Sequence, residues 1–144
     1  MSEVTISREE FQREVEQAAG SIFRSHGFQR APEFESVTPT TASVVYLGKN
    51  IAFTFTFDLR DQAIDLLVTR YRNGKLLAIW DGGYSSSLFT YLLKHCGYRG
   101  RPTPPSTLPQ TATKLQRMIA TSLSLLEHPA AARLLTDNPD VLPA

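Results

Sequence analysis

The sequence predicts an α+β fold: an N-terminal helix, a four-stranded antiparallel meander, then two to three C-terminal helices. Three observations carry that expectation. Apolar residues recur at helical spacing from Phe11 to Phe23, switch to strict alternation between Val44 and Ile79, and return to helical spacing after Leu88. Inside the alternating stretch, Asn73-Gly74 is a strong hairpin signal, because a two-residue type I′ turn needs positive φ at both central positions. The chain has 144 residues, 42% of them hydrophobic and 20% charged, so residues 1–144 read as a single α+β domain that buries one core without disulfide or metal staples.

The first helix starts at Ser7. Ser7 and Glu10 have the spacing of a capping box, and Ile6 can staple onto Phe11 one turn into the helix. Phe11, Val15, Ala18, Ala19, Ile22 and Phe23 then form one apolar stripe, with Arg8, Glu9, Arg13, Glu14 and Glu16 mainly on other faces. Gly27 ends the helix and lays Phe28 over Phe23, the contact of a Schellman cap. The segment from Gln29 to Thr41 contains Pro32 and Pro39 and reads as an irregular connection, with a short strand around Phe34 to Val37.

Four apolar sets mark the strands: Val44 and Tyr46; Phe53, Phe55 and Phe57; Ile64, Leu66 and Val68; Leu77 and Ile79. With Asn73-Gly74 as the last loop, Leu77 falls opposite Arg70 and Ile79 opposite Val68. A loop from Leu59 to Gln62 places Phe57 opposite Ile64, Phe55 opposite Leu66 and Phe53 opposite Val68. A Lys49-Asn50 turn sets Tyr46 opposite Phe53. Three loops chosen separately thus send the large apolar sets to one face, the consistency expected of a real meander. The other face holds Val45, Leu47, Ala52, Thr54, Thr56, Leu67, Thr69, Tyr71, Leu76, Ala78 and Trp80, a band that is neither core nor fully polar.

Beyond the sheet, Leu88, Phe89, Leu92, Leu93 and Cys96 make a second amphipathic helix stopped by Gly97. Arg99-Gly-Arg-Pro-Thr-Pro-Pro105 is a stiff connector that cannot continue a helix. A third helix is expected from Thr107 to Glu127 on Ala112, Leu115, Ile119, Leu123 and Leu126, and Pro129 opens a short fourth carrying Leu134 and Leu135. The tail from Thr136 onward reads as loop or fraying end.

Trp80-Asp-Gly-Gly-Tyr-Ser-Ser-Ser-Leu88 is the stretch that most invites a chemical reading. A serine hydrolase would recruit Ser85, Ser86 or Ser87 with His95 and Asp81. His95, however, lies more than two helical turns away, roughly 12 to 14 Å at 1.5 Å per residue, and the G-x-S-x-G elbow is absent. A serine at a helix N-cap explains the run better. Phosphate binding at the helix start has the right local context, yet neither phosphate-loop motif is present and a meander lacks the βαβ unit they inhabit. His26, His95 and His128 are dispersed and no C-x-x-C occurs, so no metal and no cofactor are expected. Asp58, Asp61 and Asp65 read as turn residues with Arg60 as their neutraliser, and Cys96 as a core cysteine. The residues point to no enzyme.

Charge is distributed unevenly although the net value is only +1. From Leu66 to Leu125 eight basic side chains face one acid, Asp81, a local charge of +7. Such asymmetry is read either as a solvated basic edge or as a binding surface for nucleic acid or an acidic protein patch. No helix-turn-helix, zinc finger or RNA-binding aromatic signature appears, so the protein partner is preferred. Cys96 has no cysteine to pair with, the start MSEVTISREE has no apolar run, and no stretch approaches the roughly 20 apolar residues of a membrane span. The expected location is the cytoplasm, with no membrane association.

The helix ending in Ser25-His-Gly-Phe28, then Val44-Val-Tyr46, then Ile51-Ala-Phe-Thr-Phe-Thr-Phe-Asp-Leu-Arg60 and a further alternating strand resemble small bacterial immunity proteins encoded beside polymorphic toxins. The resemblance spans residues 7–80 and is one of pattern. It implies stoichiometric binding that plugs or distorts a cognate toxin, without turnover, and it carries over no site residues. The residues themselves nominate a surface: Arg70, Tyr71, Arg72, Lys75, Leu76 and Trp80, since aromatics and arginine are enriched at protein interfaces. The expected function is neutralisation of a toxin domain. An effector chaperone or adaptor, and a small anion- or nucleotide-binding domain, are the alternatives.

Overall fold

One face of a six-stranded antiparallel sheet is covered by four helices. The computed structural model describes residues 5–36, 38–77 and 83–143. Helix α1 (Arg8–Ser25) leads into the sheet, whose strands are β1 (Gln29–Arg30), β2 (Thr41–Leu47), β3 (Ile51–Asp58), β4 (Ala63–Arg72), β5 (Lys75–Leu77) and β6 (Ser85–Ser87). Then come α2 (Leu88–His95), α3 (Lys114–Ser124) and α4 (Pro129–Leu134). The strand order is β1-β2-β3-β4-β5, and β6 pairs with β4 beside β5.

The α+β expectation holds, and so does the register. Phe57 pairs with Ile64, Phe55 with Leu66, Phe53 with Val68, Tyr46 with Phe53 and Arg70 with Leu77. Asn73 and Gly74 have φ of 55° and 79°, the left-handed pair that a type I′ turn requires. Side chains of alternate residues therefore reach the helices together. Phe11 of α1 stacks on Phe57 at 5.0 Å between ring centroids, and Phe23 stacks on Tyr46 at 4.6 Å. Each fully buried phenylalanine contributes about 1.5–3 kcal/mol relative to exposure, so this aromatic layer is the main attachment of α1 to the sheet.

The helix ends follow local chemistry. Ser7 Oγ accepts the Glu10 N–H at 3.1 Å, and at the other end Phe28 N–H donates to Phe23 O at 2.9 Å and Gly27 N–H to Arg24 O at 3.0 Å. Helix α3 starts at Lys114, seven residues later than the apolar spacing suggests. Thr113 and Gln116 form a complete capping box there, and Pro109 helps keep the preceding segment out of the helix. Its last turn tightens to a 3-10 turn at Leu125–Glu127.

Other departures have equally local causes. No strand forms over Phe34; Pro32–Phe34 is a 3-10 turn closed by Glu35 N–H on Pro32 O, and the short strand forms earlier as β1. Val37 lies outside the described residues. On the outer edge of β4, Val68 pairs with Ser86, which takes the place expected of Ile79, itself outside the described residues. Leu93 is 43% exposed and Tyr91 fills the core instead, while Cys96, the half-buried C-cap of α2, packs against the margin of the core. Among the described residues Arg60 forms no ion pair with a carboxylate; Asp58 instead accepts the Arg60 and Asp61 N–H groups at 2.9 Å each, a turn cap.

The C-terminal tail does not fray within the described residues. It forms a 3-10 turn at Pro139–Val141, Leu142 is buried, and Tyr91 Oη donates to Val141 O at 3.1 Å. Residues 137–143 thus strap the end of the helical layer to the sheet.

Candidate protein-binding face and hairpin tip

Among the described residues, no α-helix contributes to the apolar cluster on the second face of the sheet. Ala31, Val45 and Ala52 are buried there, with Phe34, Leu47 and Leu76 packed partly exposed around them. Phe34 is delivered by the 3-10 turn after Pro32 and meets Tyr71 edge to face at 5.9 Å between centroids. Toward the other end of the strands Thr54, Thr56 and Leu67 stay half-buried, and Thr69 Oγ1 and Ser85 Oγ share a hydrogen bond at 3.1 Å.

The nominated residues divide into three groups. Tyr71 and Leu76 pair across β4 and β5 on the second face, both half-buried, and Arg72 and Lys75 flank the turn, fully exposed. The four share the hairpin end, with Tyr71 and Leu76 on the second face and Arg72 and Lys75, opposite each other, alternating to the other side. Arg70 is a correction, because the alternation that puts Tyr71 on the second face turns Arg70 toward the helices. Its residual exposure is 9%, and its guanidinium donates to Pro143 O at 2.7 Å and Leu142 O at 3.4 Å. It holds the C-terminal strap. Trp80 lies outside the described residues.

Phe34 was missed as part of this face by reading the sequence. Alternation identifies what lies on a strand, whereas Phe34 arrives from a connection folded over the strand edge. The signal was the apolar residue directly after Pro32-Glu33 in an otherwise polar connection.

The hydroxyls of Ser85, Ser86 and Ser87 have structural partners. Ser87 caps α2, accepting Thr90 N–H at 3.0 Å and donating to Thr90 Oγ1 at 2.7 Å, and Ser86 Oγ donates to Ser87 O at 3.1 Å. His95 lies against Tyr84 and Tyr91, at 6.1 and 5.7 Å between ring centroids. A cleft of about 610 Å³ runs beside it between α2, α4 and the strap, lined by Tyr91, His95, Cys96, Arg133 and Asp140. Burial, with Cys96 nearby, pushes the Tyr91 phenol up to about 12. A phenol held protonated and donating to a backbone carbonyl serves packing, and it is a poor general base. Among the described residues no group of three or more His, Cys, Asp or Glu side chains is placed to hold a metal ion.

A second polar cluster ties α1 to β2. Tyr46 Oη donates to Glu16, which also pairs with Arg24. Burial raises the Glu16 carboxyl, but the hydrogen bonds from Arg24 and Tyr46 outweigh it and hold it below the usual carboxylate range. Burial, then the bond to Glu16, lifts the Tyr46 phenol well above its ordinary value. With both groups locked together, the cluster is an anchor.

No helix among the described residues is long and apolar enough to cross a membrane. Compared with protein-family models, curated proteins and solved structures, the chain gives no match.

Proposed function

We propose that this chain is a non-catalytic cytoplasmic immunity protein that binds and neutralises a bacterial toxin domain, one molecule to one, through the second sheet face and the basic hairpin tip. The observation that carries this reading is the segregation of the core. The helices pack on the phenylalanine face, which leaves Tyr71, Leu76, Leu47 and Phe34 half-exposed on the second face, with the exposed cations Arg72 and Lys75 at the adjoining hairpin tip. Half-buried aromatics next to arginine are the composition of interface centres. The sign of the charge selects an acidic patch on the toxin, which also speeds encounter.

Co-expression with the toxin encoded next to it tests the reading. The native chain forms a stoichiometric complex and rescues growth. The double change Tyr71→Ala with Arg72→Glu weakens the complex and abolishes rescue; an unweakened complex excludes this surface. Binding without rescue by the native chain favours the chaperone or adaptor alternative.

A further inference from the structure

The two edges of the sheet are treated differently by the fold. Along the outer edge of β2, side chains and a crossing segment occupy the backbone groups. Val45 N–H donates to Glu35 Oε2 at 3.1 Å, Val45 O accepts Ala31 N–H at 2.8 Å, Ser43 O accepts Gln12 Nε2 at 3.1 Å, and Thr41 O accepts an Arg8 N–H at 2.8 Å. An edge closed in this way cannot pair with another chain. The outer edge of β4 is closed by β5 from Arg70 to Arg72 and by β6 from Leu67 to Thr69, and there the pairing stops. Because Ser87 turns into α2, no strand among the described residues lies along Ala63–Leu66 on that side.

Which backbone groups face this gap follows from the ladder. The N–H and C=O of one antiparallel residue point to the same neighbour, and successive residues alternate. Arg70 N–H donates outward to Tyr84 O and Tyr71 N–H inward to Asn50 O, so Ile64 and Leu66 face outward. Leu66 N–H is met by the Asp65 carboxylate at 2.9 Å, a movable side-chain cap. Beside this edge opens a cavity of about 380 Å³, with Leu66, Phe89, Met118 and Leu125 as apolar walls and Lys114 and Arg117 at its margin. Both cations are exposed, among the described residues neither forms an ion pair, although Arg117 donates to Gln110 O at 2.9 Å, and both sit in the first turn and a half of α3, which has no acid in its first turn. Cations at a helix N-terminus oppose the helix dipole, so an anion placed here relieves an unfavourable arrangement.

We propose that Ala63–Leu66 accepts an extended acidic segment of a protein partner as an added strand in line with β6. A free anion would use only the charges and an apolar tail only the cavity. An extended peptide uses the outward backbone of Ile64, places one side chain against Phe89 and Met118, and sets an acidic side chain two residues away near Lys114 and Arg117. This site is separate from the hairpin tip, and its occupancy does not depend on the toxin reading.

The test uses the full chain and three capped eight-residue peptides: threonine alternating with valine and glutamate (TVTETVTE), the same with lysine for glutamate, and the glutamate peptide with alternate backbone nitrogens methylated. The glutamate peptide binds at least about tenfold tighter than the lysine peptide, methylation abolishes binding, and exchange of the Ile64 amide slows on saturation. Lys114→Glu with Arg117→Glu reverses the charge preference, whereas Lys94→Glu, at an exposed position on α2, leaves it unchanged. Should the double variant misfold, weakening of native binding by salt reads the same electrostatics. No saturable binding up to millimolar peptide, equal binding of both charges, or binding with the Ile64 amide exchanging as before overturns the proposal.

Discussion

Asp137 and Asn50, 87 residues apart, are clasped by two hydrogen bonds: Asn50 N–H donates to the Asp137 carboxylate at 2.9 Å, and the Asn50 side-chain amide donates to Asp137 O at 3.0 Å. The same carboxylate accepts the N–H groups of Lys49 and Ile51, so the whole turn between β2 and β3 closes on one side chain. Asp137 itself has a φ of 61°, a left-handed conformation that aspartate tolerates better than most residues. Gly48 makes the approach possible, since a Cβ there would lie 2.6 Å from Asp137 Oδ1.

Asp137→Ala removes three charge-assisted hydrogen bonds at once and is expected to cost about 2–3 kcal/mol. Gly48→Ala pushes the carboxylate away and costs a similar amount. Urea denaturation of both variants and of the double variant checks the clasp. The two losses are expected to be markedly less than additive, because each breaks the same contact. Additive losses would mean that Gly48 and Asp137 act independently.

Gly83 brings the chain back beside Leu77 before β6 begins. A Cβ there would stand 2.2 Å from Leu77 Cβ and 2.3 Å from Leu77 O, and strand backbone cannot step aside as a flexible side chain does. Gly83→Ala is therefore expected to destabilise by about 1–3 kcal/mol and to loosen β6. Thermal unfolding measures the first effect, and amide exchange at Ser86 the second.

The Glu16–Tyr46 pair predicts a pH dependence at both ends. The depressed Glu16 carboxyl contributes stability that is present above its ordinary value of 4.5 and lost as pH falls through the lower folded value. The raised Tyr46 phenol contributes stability that is present below its ordinary value of 10.0 and declines as pH rises beyond it. Tyr46→Phe removes the shared hydrogen bond, costs about 1 kcal/mol at neutral pH, and is expected to flatten both limbs. Unfolding free energies measured at pH 3, 7 and 10.5 decide this, and identical profiles for the two proteins would contradict it.

Arg70 supports the strap, and its Nε is buried without a partner. Arg70→Met keeps much of the apolar stem while removing the donors to Leu142 and Pro143. Faster proteolytic cleavage after Arg133 is expected, with partner binding through Tyr71 and Arg72 unaltered. If the complex weakened as much as with Arg72→Glu, Arg70 would belong to the interface after all.

The strand register was legible because side-chain period and turn chemistry agreed: Asn73-Gly74, Lys49-Asn50 and the loop at Leu59 each sent the phenylalanines to one face. The Ser7 cap was legible for a similar reason, a short-range hydrogen bond set by residues three apart. The start of α3 was misread because apolar spacing continues through Leu108 and Ala112, although Thr113 and Gln116 supply a stronger local stop. Of the nominated surface, Tyr71 and Leu76 share the second face, while Arg72 and Lys75 flank the turn on the side to which Arg70 also alternates. Arg70 is buried under the C-terminal strap, whereas Arg72, two residues nearer the turn, is exposed.

By itself, then, the sequence determined the fold class, the sheet register and the basic hairpin, because these depend on periodicity and on contacts a few residues apart. Only the tertiary structure decided that β6 extends the β4 edge without covering Ile64, and that Asp137 clasps a turn 87 residues away. Such pairings join groups with no regular spacing in the chain, and packing of the whole molecule selects them.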